Sequence, residues 1–398
     1  MTGIQAVIAM NIKLSCLWTL PLFLLWLPVQ AETIDDVSGQ TIVIQVGPER
    51  TIKTIAAAAD LAGARAIIEV DAGSYVGDVA VWTQDELTLR AVGGRVKLIA
   101  ASAAAEGKGI WVMRGGQMTV DGFEFSGATV PGHNGAGLRL EKGALTVSNC
   151  VFLDNENGIL TGSNPDIVLK IENSEFAWNG YGDGLTHNLY VGSIASLSVT
   201  GSYFHHARVG HLLKSRAAVN HIFYNRLTDE AGGQASYELE FANGGVAFVV
   251  GNVIEQSART QNPNIISYGT EGYKWPKNEL YLVNNTLVDN RPQGGVFLRV
   301  KPGEVTVKAV NNLLVGRGGL KSAGPGDLGN NFTVERIDLA DAAKGDYRLK
   351  RGSRLVGKAL DPGSANGVSL QPQAQYLHPV NTKALAGKRQ SPGALQPP

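Results

Sequence analysis

The chain repeats one six-residue template in Val147-Ser-Asn-Cys-Val-Phe152, Ile171-Glu-Asn-Ser-Glu-Phe176 and Val199-Thr-Gly-Ser-Tyr-Phe204. Each copy has an apolar residue, a spacer, a small or Asn/Ser pair, a spacer and a final large apolar residue. The template occurs eight times, with starts at residues 120, 147, 171, 199, 222, 249, 282 and 309, so successive starts lie 23 to 33 residues apart. Stacked repeats accommodate such variation by insertions in turns. The sequence therefore predicts a solenoid.

The pattern inside each repeat indicates strands. Apolar and polar residues alternate with a period of two, Val, Ile, Phe and Thr are frequent, and Asn-Gly, Gly-Asp-Gly or Gly-Gly turns separate the segments. Leucine-rich repeats would show a denser leucine ladder, so a parallel β-helix is the better interpretation. Asparagines recur at one bend, where they tolerate left-handed backbone angles and bond their stacked copies: Asn149, Asn173, Asn225, Asn252, Asn285 and Asn312.

The amino terminus predicts export. A basic residue precedes the apolar run from Leu14 to Leu27, and Pro28-Val-Gln-Ala31 follows it, so we expect residues 1–31 to be a signal peptide cleaved after Ala31. The run is shorter than the ~20 residues that a membrane-spanning helix needs, and no later segment reaches that length. A secreted or periplasmic protein without a membrane span is therefore expected.

The charge composition gives no reason to expect nucleic acid or a membrane surface as a binding partner. The chain has 35 Lys and Arg residues and 35 Asp and Glu residues, so no overall charge attracts nucleic acid or a membrane surface, and a charged ligand must meet a local cluster. Once the signal peptide is removed, Cys150 is the remaining cysteine. Its strand position predicts a buried thiol without a disulfide. We expect the protein to act as a monomer.

Residues 41–79 have a strand, helix, strand pattern with an Ala-rich helix between Thr51 and Ala64. This pattern resembles the amino-terminal cap of the pectin-lyase-like superfamily, in which a short helix covers the open end of the first coil. The resemblance implies an all-β fold, a single-stranded right-handed parallel β-helix. The chain is then divided into a signal peptide (1–31), an amino-terminal cap and first coil (32–80), β-helix coils (81–320) and a carboxy-terminal tail packed on the solenoid (321–398).

Candidate site residues concentrate in three coils. Five of the seven histidines lie between residues 187 and 221. If the leucines of these strands face the core, the alternating neighbours face solvent: Tyr190, Lys214, Glu238 and Glu240. Equivalent positions on consecutive coils lie about 4.8 Å apart, so these residues form a ladder, which we expect Tyr268 and Arg299 to continue. Such a ladder predicts a groove for an acidic polysaccharide, with aromatic rings for sugars and charges for uronic acids.

Metal binding is a further interpretation of the acidic residues. Glu238 and Glu240 lie two apart on a strand, and with Asp183 or Asn188 from a preceding coil they would supply the oxygen ligands that suit calcium. His187 and His211 could instead serve zinc, but no closely spaced pair such as His-x-x-x-His supports that metal. Calcium is therefore the cofactor that the sequence suggests.

β-Elimination on a uronate is the reaction that best fits these residues. It requires neutralisation of the carboxylate, a base for the adjacent C5 proton and an acid for the leaving oxygen. Lys214 suits the base and Arg216 the carboxylate partner. The pair Lys214-Ser215 resembles the family of alginate lyases and chondroitinase B, in which a lysine followed by serine is the base. The chain lacks that family's arginine one coil further on.

Other functions stay open. The paired aspartates of polygalacturonase-like hydrolases, the pectin esterase pattern and the Asp-His signature of pectate lyases are absent from the sequence. A non-catalytic module that binds or guides a polysaccharide, and a structural envelope-associated solenoid, are the alternatives to a lyase. The candidate residues are Lys214, Arg216 and His211 for catalysis; His187, Asn188, Tyr190, Tyr237, Tyr268 and Arg299 for substrate binding; and Asp183, Glu238 and Glu240 for metal binding.

Overall fold

The structure is a computed structural model that describes residues 41–260, 262–321, 326–387 and 390–397. The predicted signal peptide and its cleavage site after Ala31 lie outside the described residues. Within the described ranges, no helix is long and apolar enough to cross a membrane.

Most coils contribute three short parallel strands, one to each of three walls. Wall A is a sheet of ten strands. They are β3 (Ala80–Trp82), β5 (Gly109–Met113), β8 (Ala136–Leu140), β11 (Asn157–Thr161), β14 (Leu189–Val191), β17 (Leu213–Ser215), β20 (Leu239–Phe241), β23 (Asn264–Tyr268), β26 (Val296–Val300) and β29 (Gly319–Lys321).

Walls B and C follow wall A along each coil. Wall B contains β6 (Gln117–Asp121), β9 (Ala144–Ser148), β12 (Val168–Glu172), β15 (Ser196–Thr200), β18 (Val219–Phe223), β21 (Val246–Val250), β24 (Glu279–Val283), β27 (Thr306–Val310) and β30 (Gly326–Asp327). Wall C contains β7 (Phe123–Ser126), β10 (Val151–Leu153), β13 (Glu175–Ala177), β16 (Tyr203–His205), β19 (Arg226–Thr228), β22 (Val253–Gln256), β25 (Thr286–Asp289), β28 (Leu313–Val315) and β31 (Phe332–Val334). In the first coils, β1 (Val43–Val46) pairs with β2 (Ile67–Val76), and β2 and β4 (Leu87–Ile99) run along both walls.

Like residues stack in register from coil to coil. On wall C, Phe125, Phe152, Phe176 and Phe204 form a continuous stack with ring centroids 5.0, 4.7 and 4.5 Å apart, close to the ~4.8 Å spacing of paired strands. All four rings are fully buried. The predicted parallel β-helix is confirmed, because the repeat that aligns these residues in sequence is the pitch that stacks them.

A polar ladder fixes the corner between walls B and C. In each of seven links, the backbone N–H of one corner residue donates to the side-chain oxygen of the next, at 2.8 to 3.1 Å. We call this set the corner ladder: Cys150, Ser174, Ser202, Asn225, Asn252, Asn285, Asn312 and Asn331. Asn149 and Asn173, which the sequence placed at the same bend, lie one residue earlier, with left-handed φ angles of 52° and 48°.

A helix, α1 (Ile55–Leu61), lies at the amino-terminal end. Thr54 caps it by accepting a hydrogen bond from Ala57 N, and Asp78 accepts two more from Ile55 N and Ala56 N. Ile55 and Ala58 are buried in the solenoid core. The predicted capping helix is confirmed, although it is shorter than the Ala-rich segment suggested.

The carboxy-terminal residues form two short 3-10 helices and three antiparallel hairpins. The helices are η1 (Arg336–Asp338) and η2 (Ala342–Lys344); the hairpin strands are β32 (Leu339–Asp341), β33 (Asp346–Leu349), β34 (Ser364–Ala365), β35 (Val368–Ser369), β36 (Ala374–Tyr376) and β37 (Thr382–Ala384). Tyr347 packs with Val253 and Val288 on wall C, and Leu370 packs with Phe248 on wall B. The tail therefore covers parts of walls B and C.

Candidate functional site

One outward-facing row crosses wall A through the predicted coils. The register pairs Tyr190 with Lys214, Lys214 with Glu240, Glu240 with Ser267, and Ser267 with Arg299. We call these five residues the outer row. Tyr268 lies one position off the row: it is fully buried, its hydroxyl donates to Gly245 O, and burial raises its pKa. The continuation predicted at Tyr268 is therefore made by Ser267.

Lys214 and Arg216 hold one carboxylate between them. Lys214 Nζ lies 3.0 Å from Glu271 Oε1, and Arg216 donates to both oxygens of Glu271 at 2.8 Å. Burial would raise the pKa of Glu271, but the hydrogen bonds from these cations outweigh it and lower the pKa. Arg216 also donates to the Tyr190 hydroxyl at 2.6 Å. Two cations thus converge on a single anion.

Glu271 was not predicted from the sequence. It lies in the loop between β23 and β24, where strand parity gives no direction for a side chain. The only signal was the composition of Glu271-Gly-Tyr-Lys-Trp275, which combines charged and aromatic residues directly after a wall A strand.

Glu240 is the anion behind Lys214. It is 3 % exposed, and one oxygen lies 3.2 Å from Lys214 Nζ and 2.9 Å from His211 Nε2. Thr270 donates to the other oxygen at 2.6 Å. Burial opposes ionisation of Glu240, but the hydrogen bonds and the charge of Lys214 prevail and hold its pKa at about 2. The predicted solvent exposure of Glu240 is wrong, because the His211 and Thr270 side chains cover it.

His187, His211 and Tyr237 form a row of tilted, contacting rings beside the outer row. Ring centroids are 4.3 Å apart for His187 and His211, and 4.8 Å apart for His211 and Tyr237. His187 Nδ1 accepts from His211 N at 2.9 Å. Because Glu240 can only accept, His211 donates through Nε2. Burial lowers the pKa of both histidines, which favours neutral rings.

An open groove of about 630 Å³ lies beside the contact between Arg216 and Glu271, and Lys214 adjoins it through Glu271. Tyr190, Arg216 and Glu271 line it, together with two further cations, Arg139 and Lys274, and the predicted Asp183. Arg139 belongs to wall A two strands before Tyr190, and burial lowers its pKa. The groove is therefore bordered by three cations and two anions.

The structure does not bring the predicted calcium ligands together. Asp183 lies on an exposed loop and accepts from Leu185 N at 2.9 Å, whereas Glu240 is held by Lys214 and His211. Glu238 precedes its strand and is fully buried, not solvent-facing, with both oxygens free of hydrogen bonds within the described residues. These three side chains do not fit one ion, so no reaction step is assigned to calcium here.

Two predicted substrate-binding residues have other environments. Asn188 is fully buried, and both ends of its side-chain amide are hydrogen-bonded in the interior. Its Oδ1 accepts from Asn179 Nδ2 at 2.9 Å, and its Nδ2 donates to His205 O at 2.9 Å. It is therefore a structural residue that a bound substrate cannot reach. Arg299 is exposed at the far end of the outer row, two strands beyond Glu240.

Comparison with known proteins adds one finding. No protein-family model and no curated protein sequence matches the chain. Among solved structures, the crystal structure of pectate lyase Pel9A is similar, with a TM-score of 0.58 and 11% sequence identity over 90% of this chain and 96% of that one. At this identity the similarity concerns the fold. The chain thus shares the parallel β-helix architecture of that structure.

Proposed function

We propose that the chain is an exported protein that binds an acidic polysaccharide in the groove on wall A and cleaves it by β-elimination. The observation that carries this proposal is the pair of salt bridges from Lys214 and Arg216 to the Glu271 carboxylate at the edge of the groove. Two cations already arranged around one carboxylate are suited to receive another carboxylate, such as that of a uronic acid.

Substrate binding begins with an exchange of carboxylates. Glu271 is 39 % exposed and sits on a loop, whereas the side chains of Lys214 and Arg216 are 13 % and 16 % exposed. The mobile partner is therefore the anion. A uronate that enters the groove takes the place of Glu271 on Arg216, and Tyr190 offers its ring face and hydroxyl to the adjacent sugar.

The elimination then needs one base and one charge neutraliser. Arg216 neutralises the uronate carboxylate, which makes the C5 proton acidic. Lys214, as the free amine, takes that proton; the C5–H electron pair forms the C4–C5 double bond while the C4–O bond breaks. The new ammonium returns the proton to the leaving glycosidic oxygen. One side chain thus serves as base and acid.

Glu240 and His211 are positioning residues in this proposal. Glu240 binds Lys214 from behind, and His211 and Thr270 fix the two oxygens of Glu240. The buried anion holds the amine beside Glu271, which lines the groove. The similar structure is named a pectate lyase, which supports a lyase on this scaffold by analogy of fold alone.

A non-catalytic binding protein is the second candidate. It is favoured by the same contacts: Lys214 and Arg216 are already paired with carboxylates, those of Glu240 and Glu271, as cations that bind anions. A protein that only binds or guides a polysaccharide needs the cations and not the free amine.

The deciding experiment incubates the purified mature protein with alginate, pectate, glycosaminoglycans and bacterial exopolysaccharides. Unsaturated products, seen by their ultraviolet absorbance, are expected with one of these polymers. Lys214→Ala is expected to abolish product formation, while Lys170→Ala, an exposed lysine of wall B, leaves it intact. Polymer binding without unsaturated products would contradict the proposed lyase activity and support a protein that only binds or guides the polysaccharide. Product formation by Lys214→Ala would contradict the assignment of Lys214 as the base.

A further inference from the structure

A second group of buried polar side chains lies at the corner where wall C turns into wall A. Gln256 and Asp289 end β22 and β25 and are directly paired in the register. Asp229 follows β19 and occupies the position equivalent to Gln256 one coil earlier. Glu238 precedes β20 and closes the loop that begins at Asp229. We call these four residues the carboxylate corner.

The oxygens of this corner are buried without enough donors. Asp229, Glu238 and Gln256 are fully buried and Asp289 is 6 % exposed. Within the described residues, five oxygens have no hydrogen-bond partner: Asp229 Oδ1, both Glu238 oxygens, Gln256 Oε1 and Asp289 Oδ2. Buried oxygens are almost always bonded in native proteins, and exceptions point to a bound ion or water.

Two of the free oxygens lie beside one small space. A Cβ placed on Gly295 would lie 3.1 Å from Gln256 Oε1 and 3.2 Å from Asp289 Oδ2, so both atoms point at the same small space. Burial, with the charges of Asp229 and Asp289, raises the pKa of Glu238 well above its usual value. Among the described ion pairs, none joins a lysine or arginine to these carboxylates. The charge of Arg291 acts against the raised pKa of Asp289, so positive charge balances the three acids only in part.

We propose that the carboxylate corner is a calcium site formed by Asp229, Glu238, Gln256 and Asp289. Calcium binds six to eight oxygens in flexible geometry, and the five unpartnered oxygens belong to the ligand types that it prefers. Backbone carbonyls or water complete the shell. Within the described residues, no group of three acidic, His or Cys side chains is placed to hold a metal ion, so calcium binding requires these carboxylates to move together around the ion.

A surface cleft gives an ion access to the carboxylate corner, and a bound ion would connect the strands that meet there. Asp289 also lines a cleft of about 1030 Å³ on the outer side of wall C, through which an ion can enter. A bound cation joins the ends of strands from three coils. It also fixes the start of β20, the strand that carries Glu240. The inference does not depend on the groove being catalytic.

The test is a calcium titration of chelator-treated mature protein by isothermal titration calorimetry at neutral pH. Saturable binding of one Ca²⁺ per chain is expected, tighter than Mg²⁺ because Mg²⁺ demands rigid octahedral geometry. Glu238→Gln keeps the side-chain shape and is expected to weaken binding at least tenfold; Asp289→Asn, at the margin of the cluster, is expected to act in the same direction.

Matched controls separate this corner from other acids. Glu304→Gln changes an exposed carboxylate, and Lys214→Ala alters the groove; both are expected to keep the affinity for calcium. The proposal is overturned if the wild-type protein binds no calcium at millimolar concentration, if Mg²⁺ binds more tightly, or if Asp289→Asn binds as the wild type does. The wild-type titration decides even where Glu238→Gln fails to fold.

Discussion

The corner ladder and the outer row both arise from the stacking of equivalent positions on successive coils. The ladder holds the fold together, whereas the outer row forms part of a candidate site. From Asn225 onward, neighbouring ladder positions all hold asparagine, which both donates and accepts, so Asn225, Asn252 and Asn285 satisfy one another. In the outer row, neighbours differ in charge, and Lys214, together with Arg216 beside the row, binds an anion from outside it, Glu271. Repetition thus yields structure, and variation at the repeated position yields a site.

Breaking the ladder is expected to have the largest effect. Asn252 Oδ1 accepts from Asn225 N at 2.8 Å, and Asn252 Nδ2 donates to Ile222 O at 2.7 Å. Asn252→Ala leaves both backbone groups buried without partners, so we expect it to lower the free energy of unfolding by about 3 kcal/mol. Urea denaturation measures the change.

Asn252→Ser is the matched control for that change. Serine fills the equivalent position at Ser174 and Ser202, where its hydroxyl accepts the same backbone hydrogen bond from Cys150 N and Ser174 N. It should therefore cost less than alanine, about 1 kcal/mol. Equal losses for alanine and serine would mean that packing, and not the ladder, holds this corner together.

Altering Arg216, the cation beside the outer row, is expected to weaken ligand binding and to leave folding unchanged. Arg216→Lys retains the charge but loses the fork that binds Glu271 and the contact with Tyr190. We expect about thirtyfold weaker binding of an acidic oligosaccharide, roughly 2 kcal/mol, with little change in unfolding. Calorimetric titration together with urea denaturation separates these effects; a large loss of stability with normal binding would contradict the assignment.

Removing the carboxylate of Glu271 is expected to strengthen ligand binding, in contrast to the change at Arg216. Glu271→Gln weakens the competitor for Lys214 and Arg216, so an acidic oligosaccharide is expected to bind about tenfold more tightly. Glu279→Gln, a carboxylate on wall B bound to Asn366 and Tyr281, is the control and should not change the affinity. Weaker binding by Glu271→Gln would show that Glu271 supports the groove instead of occupying it.

The smallest effect is expected at the top of the ladder. Cys150 occupies a ladder position, is 1 % exposed, and has a pKa raised to about 12 by burial. Cys150→Ser places the residue of Ser174 there, so stability should change by less than about 1 kcal/mol. The wild-type thiol should resist iodoacetamide at neutral pH until the protein is unfolded, because only the thiolate reacts. Rapid alkylation of the folded protein, followed by mass spectrometry, would contradict this.

Strand parity predicted the outer row where strands are regular and failed where they end. Tyr190, Lys214 and Arg299 lie in the row as expected because they sit inside β14, β17 and β26. Glu238 lies before the start of β20, where the chain turns the corner, so alternation no longer gives its direction. Tyr268 was misplaced by one residue because the loop before β23 hides the register.

Sequence alone determined the winding: a template repeated every 23 to 33 residues sets the coil, and the alternation within it separates core from surface. Only the tertiary structure decided which polar groups meet. Glu271 reaches Lys214 from a loop, and Glu238 turns inward toward Asp229 and Asp289, since loops and corners follow no period. The physical reason is that strand pairing transmits register through backbone hydrogen bonds, whereas the direction of a side chain at a turn depends on the packing around it.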